Sequence, residues 1–278
     1  MSQSSIKKFK VGQIIKAFYL CVKKDMKITR LGDMYIDLIL KDSSGSIRSK
    51  IWSHVNYFSD KFNEGEIVAI KGSVINFNNS EELNITFIKT ADDSFYNEYG
   101  FDNTLIIGTI NDSVKDLLKY VNDKIKGLPI EHRKILSKIY RLNITRISSI
   151  PIDNDSYQLI GGYLQYTYNL LKLNDKIISQ YDRLDNNKII ICILLMNIGY
   201  IHYYTDDKTY AISESGYELG SVVLGINLLM RIVFQFKNIS KESEIYYQKC
   251  ILFKKDESDK NINYVKSIVL LDKIAIKK

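Results

Sequence analysis

The chain has 278 residues, 45% hydrophobic and 26% charged, which suits two modest domains with real cores rather than a disordered or fibrous polymer. Its 39 basic and 32 acidic residues leave a net charge of +7, a mild excess that favours a polyanionic partner without specifying one. Three widely spaced cysteines, Cys21, Cys192 and Cys250, form no CxxC pair, so neither a disulfide framework nor a zinc knuckle is suggested and a reducing cytoplasm fits best. Residues 1–10 are polar and basic, unlike a signal peptide. The most apolar run, residues 189–201, contains Asn197 and falls short of the roughly 20 residues that span a bilayer; it reads as a buried helix, with no membrane partner.

The first ninety residues predict strands. A first strand covers residues 12–24. Met34, Ile36, Leu38 and Leu40 then alternate with Tyr35, Asp37, Ile39 and Lys41, the period of a two-faced strand. Asp42-Ser43-Ser44-Gly45 supplies turn chemistry, and a third strand places Ile47, Ser49 and Ile51 on one side and Arg48, Lys50 and Trp52 on the other. A short helix over 53–62 ends at Asn63-Glu64-Gly65, and strands over 66–77 and 81–89 flank an Asn78-Asn79-Ser80 turn. Three strands, a short helix and two strands is the element order of the OB-fold, a five-stranded Greek-key barrel.

Residues 91–110 are weakly patterned. From Asn111 or Asp112, a candidate N-cap, the period turns helical through Val114, Leu117, Leu118, Val121 and Ile125. Gly127-Leu128-Pro129 breaks that helix and another covers 131–141. After Pro151 and Asp153-Asn154-Asp155, Leu159, Tyr163, Thr167, Leu170 and Leu171 mark a helix, followed by helices over 188–197, 220–236, 243–255 and 261–278. The fold class is therefore α+β in two domains: a barrel over 1–92, a connecting segment with helices over 93–150, and an all-α domain over 151–278.

Together the halves resemble the YhaM-type 3′–5′ exoribonucleases, which join an OB-fold to an HD-superfamily phosphohydrolase domain. The resemblance is carried by residues 35–52, a strand, an Asp-x-Ser-Gly turn, a second strand and Trp52, and extends in element order over residues 10–275. It implies a metal centre in which His and Asp side chains hold divalent cations that activate water. Matched position by position, this chain lacks those ligands. Asp155-Ser156 stands where the family has adjacent histidines, Gln165 replaces a helix histidine, and Met196-Asn197 replaces the His-Asp pair. Ser221 replaces a further histidine, and Lys249 and Lys254-Lys255 fall at the last histidine cluster; Asp272 alone matches. The chain has only three histidines, His54, His132 and His202, too few for a histidine-rich binuclear site. The resemblance thus implies a pseudoenzyme with a degenerate HD domain, no metal, no cofactor and no catalytic residues. Other catalytic signatures, GxSxG, GxxxxGK[ST] and GxGxxG, are absent from the sequence, and Asp92-Asp93 and Asp206-Asp207 read as loop acids.

OB-folds bind single strands across strands 2 and 3 and the loops joining strands 1–2 and 4–5. In those places the sequence offers Tyr35 and Trp52 to stack on bases and Arg48 and Lys50 to meet phosphates. Lys23, Lys24, Lys27 and Arg30 fall about the first loop, and Phe77, Asn78 and Asn79 about the last. Residues 1–90 carry 14 basic and 9 acidic side chains. The expected function is non-catalytic binding of single-stranded DNA or RNA, with a homo-oligomer through the helical domain as the resemblance implies. A residual nuclease involving Asp272 and a protein-interaction scaffold are the alternatives.

Overall fold

Alternating apolar and polar residues produce five strands, β1 (Ile14–Ile28), β2 (Met34–Asp42), β3 (Gly45–Ile51), β4 (Ile67–Phe77) and β5 (Ser80–Thr90), with a short helix α1 (Val55–Ser59) between β3 and β4. They close into a barrel in the order β1-β2-β3-β5-β4. The β3–β5 pair is parallel and the other four are antiparallel. That order and closure are those of an OB-fold. Ile15, Ala17, Tyr19, Ile36, Leu38, Leu40 and Leu83 fill the interior, and Phe58 and Phe62 belong to the same core. The computed structural model describes residues 4–91, 96, 101, 106–152, 156–205, 210, 212–237, 239–253 and 259–276; Asp92-Asp93, Asp153-Asn154-Asp155, Asp206-Asp207 and Lys254-Lys255 lie outside them.

Two turns are set by side-chain and backbone chemistry. The buried carboxylate of Asp42 accepts from Ser44 N, Ser44 Oγ and Gly45 N on Oδ1 and from Ile6 N on Oδ2. The Asp-x-Ser-Gly segment therefore tightens the β2–β3 hairpin and ties the N-terminal segment to it. Asn78 and Asn79 both have positive φ, 51° and 61°, while Phe77 pairs with Ser80. This is the I′ geometry whose twist suits a two-residue hairpin, and asparagine tolerates it.

The chain divides into Met1–Gly108 and a second unit formed by Thr109–Thr205 with Ile212 onward. The first unit runs past residue 92 because Phe18, Ile67 and Ala69, on the barrel's outer surface, pack against Ala91, Tyr96, Phe101 and Ile106. The weakly patterned stretch thus contributes isolated aromatic anchors, a role that leaves no periodic signature.

Among the described residues the second unit is helical: α2 (Val114–Lys126), α3 (Ile130–Leu142), α4 (Ile144–Ser149), α5 (Gly162–Ile177), α6 (Asn186–Leu195), α7 (Tyr200–Tyr203), α8 (Glu214–Val233), α9 (Lys241–Leu252) and α10 (Lys260–Ile276). The cap of α2 is Ser113 rather than Asn111 or Asp112, because the Ser113 side chain accepts from Asp116 N. Likewise α5 begins after Leu159, at Gly162, since Gly161 sits in the left-handed region with φ 83°. Ile189 to Leu195 of α6 are all buried, so this helix is apolar on every side because it is core on every side. Helix α8 is long and apolar enough to cross a membrane by length and composition, but it joins two helices across a kink at Gly220, so its second part starts where the sequence predicts. Gly220, with φ 71°, breaks its regular geometry. Burial raises the pKa of the Cys250 thiol well above its ordinary value, and the neighbouring buried thiol of Cys192 adds to the rise, a proximity across 58 positions that their spacing conceals. Arg146 of α4 donates to the carbonyls of Ile201, Tyr204 and Thr205. We expect Arg146→Ala to lower stability by about 2–4 kcal/mol, since hydrogen bonds to a charged donor contribute ~1.5–3 kcal/mol and the carbonyls left behind lose partners. Urea denaturation checks this, and Arg146→Lys should restore little of the loss, because an ammonium lacks the three-pronged fork.

Candidate nucleic-acid interface

The outward set of β2 and β3 follows from strand alternation, and the register fixes which residues meet. Lys27 lies opposite Tyr35, Asp25 opposite Asp37 and Lys23 opposite Ile39, while Asp37 lies opposite Lys50 and Ile39 opposite Arg48. A β-bulge at residues 21–23 of β1 resets the alternation so that Lys23, Asp25 and Lys27 share this face.

Tyr35 and Trp52 stack on each other, with ring centroids 4.6 Å apart and planes 24° from parallel. Trp52 nevertheless keeps 42% of its surface exposed. The Lys50 ammonium lies 5.8 Å from the Trp52 centroid and 4.1 Å from that of Phe77, and Phe77 is 44% exposed. Tyr35, Trp52, Lys50 and Phe77 therefore form one continuous row, joined by stacking and cation–π contact.

The cations on this face differ in how closely carboxylates and carbonyls engage them. Arg48 has 64% of its side chain exposed and lies 4.0 Å from Asp37 Oδ2. Arg30 is exposed in the β1–β2 loop. Lys23 pairs with Asp25 at 2.9 Å, and this bond holds the Asp25 carboxyl below its ordinary range. Lys27 bonds to Asp37, which raises the lysine's pKa. Two sequence-predicted phosphate contacts are occupied by the fold. Lys24 donates to Ser59 O at 2.5 Å and Phe62 O at 2.8 Å, so it ties β1 to the α1–β4 connection. Lys50, with its side chain only 12% exposed, sits 2.8 Å from Glu82 Oε2, a charge contact rather than an aligned hydrogen bond. Its ammonium lies between the Trp52 and Phe77 rings. The face also carries the carboxylates of Asp25, Asp37 and Glu82. The period-2 pattern that selected Tyr35 selects Asp37 too. Asp37 Oδ1 is buried and has no hydrogen-bond partner among the described residues.

In the helical unit two of the residues matched to the HD positions are joined by a chain of hydrogen bonds. Gln165 Nε2 donates to Asn169 Oδ1, Asn169 Nδ2 to the Tyr157 hydroxyl, and that hydroxyl to Asp272 at 2.9 Å. Gln165 and Asp272, 107 positions apart in sequence, thus belong to one polar network. Gly199, beside the Met196-Asn197 pair, packs against the backbone of Ser221. Met196 is buried, and Lys249 lies on α9. His132 contacts Tyr247, and burial lowers its pKa; His54 is exposed, with φ 56° before α1. No group of three or more His, Cys, Asp or Glu side chains placed to hold a metal ion occurs among the described residues.

Burial raises the Asp272 pKa, and donation from Tyr157 opposes part of that rise. The folded state therefore holds this proton more tightly than the unfolded chain. The stability so contributed is complete below the ordinary aspartate pKa and is lost as pH climbs through the raised folded value. Asp272→Asn should remove this dependence, so the variant gains on the parent in urea midpoint as pH rises above the ordinary aspartate value of about 4. A parent and variant that run in parallel would refute the assignment.

No family model matches the chain. Among solved structures, the second OB-fold domain of replication protein A from Methanococcus maripaludis is 20% identical, covering 33% of this chain and 96% of that one at a TM-score of 0.27. The replication factor A related protein from Methanobacterium thermoautotrophicum is also 20% identical, covering 33% and 92% at 0.27. A chain of a replication protein A heterotrimer bound to ssDNA is 15% identical, covering 38% and 76% at 0.27.

Proposed function

We propose that this protein binds single-stranded DNA or RNA without catalysing its cleavage, using the outer face of β2 and β3. The observation that carries the reading is the row of half-buried Tyr35 and exposed Trp52 and Phe77, joined through Lys50. It lies at the strand 2–3 face and the β4–β5 turn where an OB-fold engages oligonucleotides. Rings of that kind take successive bases whatever their identity, because every base has a π-face. Arg48 and Arg30 are the cations placed for phosphates, and Asp25, Asp37 and Glu82 temper the field, so stacking supplies the larger share of affinity.

The helical unit is proposed to descend from an HD phosphohydrolase and to persist as a scaffold. The joining of Gln165 to Asp272 through Asn169 and Tyr157 supports the carry-over of those two positions to one centre. Exposed Leu270, Leu271 and Ile274 on α10 support self-association of this unit, which light scattering of the purified chain tests.

The binding test is a titration of labelled single-stranded DNA, RNA and duplex across salt concentrations, with Mg²⁺ or Mn²⁺ present in parallel. Single strands should bind at low salt, with log affinity falling linearly in log salt at ~0.7 per phosphate neutralised, and should remain intact. Absence of binding at low salt would sink the reading. Metal-dependent degradation abolished by Asp272→Ala would replace it with a residual nuclease.

A further inference from the structure

The chain's positive charge is not where the first ninety residues suggest. Residues 91–108 add Asp92, Asp93, Glu98 and Asp102 with no cation, so residues 1–108 hold 14 basic against 13 acidic side chains. Residues 109–278 hold 25 against 19. The excess therefore belongs to the helical part of the chain.

One surface there gathers cations without carboxylates. Arg133, Lys134, Lys138 and Arg141 of α3, with Ser137 between them and Phe236 beyond the end of α8, line a groove of about 420 Å³. At 100° per residue the four cations fall within one ~140° arc of the helix. Two of them are fixed by the fold. Arg133 Nη1 donates to Lys126 O at 3.2 Å. Lys138 bonds to Gln235 and lies 5.4 Å from the Phe236 centroid. Lys134 and Arg141 are exposed, and among the described residues neither makes a side-chain bond. The stripe runs ~12 Å along the axis at 1.5 Å per residue. A compact anion satisfies one or two such groups; an extended chain of phosphates satisfies all four.

We propose that the α3 groove is a second nucleic-acid contact, taking the phosphate backbone of a single strand along Arg133, Lys134, Lys138 and Arg141, with Phe236 offering a ring face to a base. Charge complementarity selects this occupant. The groove is lined by cations and one aromatic ring, which are the two elements of a sequence-tolerant strand track. An acidic polypeptide offers no base to stack on Phe236. The surface belongs to the helical unit and shares no residue with the barrel face.

The test uses the full chain with labelled poly(dT) and poly(U), and the double substitution Lys134→Glu with Arg141→Glu, chosen because neither side chain holds the fold together. Affinity at low salt should fall at least ~10-fold, and the log–log salt slope should become shallower by about 1.4, at ~0.7 per lost phosphate contact. Lys115→Glu with Lys273→Glu makes the same change in net charge at exposed sites on α2 and α10 and should have a clearly smaller effect. An unchanged slope, an equal loss from that control pair, or poly-glutamate competing as well as poly(dT) overturns the proposal. A Trp52→Ala chain separates it from the barrel reading. If its residual binding still responds to the α3 reversal, this surface stands. If only Trp52→Ala matters, the barrel stands alone. If the parent binds neither polymer, both fall.

Discussion

Trp52→Ala should weaken binding of a labelled single strand roughly 5- to 150-fold, the equivalent of ~1–3 kcal/mol for one lost base-stacking platform. The effect exceeds that of any single cation on the face because Trp52 serves twice. It offers an exposed ring to a base, and it holds Tyr35 by stacking at 4.6 Å. Removing the indole also takes one of two rings from beside the Lys50 ammonium. Stability should change little, since Trp52 is 42% exposed and stands outside the barrel's core. Anisotropy titration and thermal unfolding of the same preparation separate the two effects. Trp52→Phe should recover much of the affinity because a ring remains. An alanine variant that binds like the parent would remove the aromatic row from the interface.

Gly199→Ala should be the most damaging single methyl in the helical unit. A Cβ at that position would lie 1.6 Å from Ser221 O, 2.6 Å from Ser221 C and 2.8 Å from Gly225 N. All three are backbone atoms, so relief requires α7 and α8 to separate. Conformation is not the constraint: Gly199 has φ −67° and ψ −22°, which alanine adopts freely. Overpacking a tight site costs ~1–3 kcal/mol where side chains can yield, and here none can. A loss of at least ~3 kcal/mol is expected, lowering Tm by roughly 6–12 °C for a unit of this size. Gly220→Ala is the contrast. Nothing lies within 4 Å of its Cβ position, and its cost comes only from φ 71°. Circular dichroism melts decide between them, and a Gly199→Ala chain melting with the parent would refute the close crossing.

The barrel was legible because its signal is local. Alternation in β2 and β3 assigned Ile36, Leu38, Leu40, Ile47 and Ile51 to the interior, where they are found, and the consecutive asparagines marked a hairpin that needs two positive φ values. The candidate site was legible only in part. The same alternation placed Tyr35, Trp52 and Arg48 on one face, but a residue's direction does not reveal its partner. Lys24 and Lys50 looked as free as Arg48 until the α1–β4 connection and β5 brought Ser59 O, Phe62 O and Glu82 to them.

By itself the sequence determined the class of each half, the order of elements along the chain and the shortage of imidazoles, since composition and short-range periodicity carry those directly. Tertiary structure decided which cations remain available and that Tyr96, Phe101 and Ile106 complete the barrel unit. It also decided that Gln165 joins Asp272 and that Cys192 meets Cys250. Each of these depends on contacts between residues far apart in the chain. Such contacts form because burying apolar surface and pairing buried polar groups lower the free energy of the whole fold, and no window of neighbouring residues encodes them.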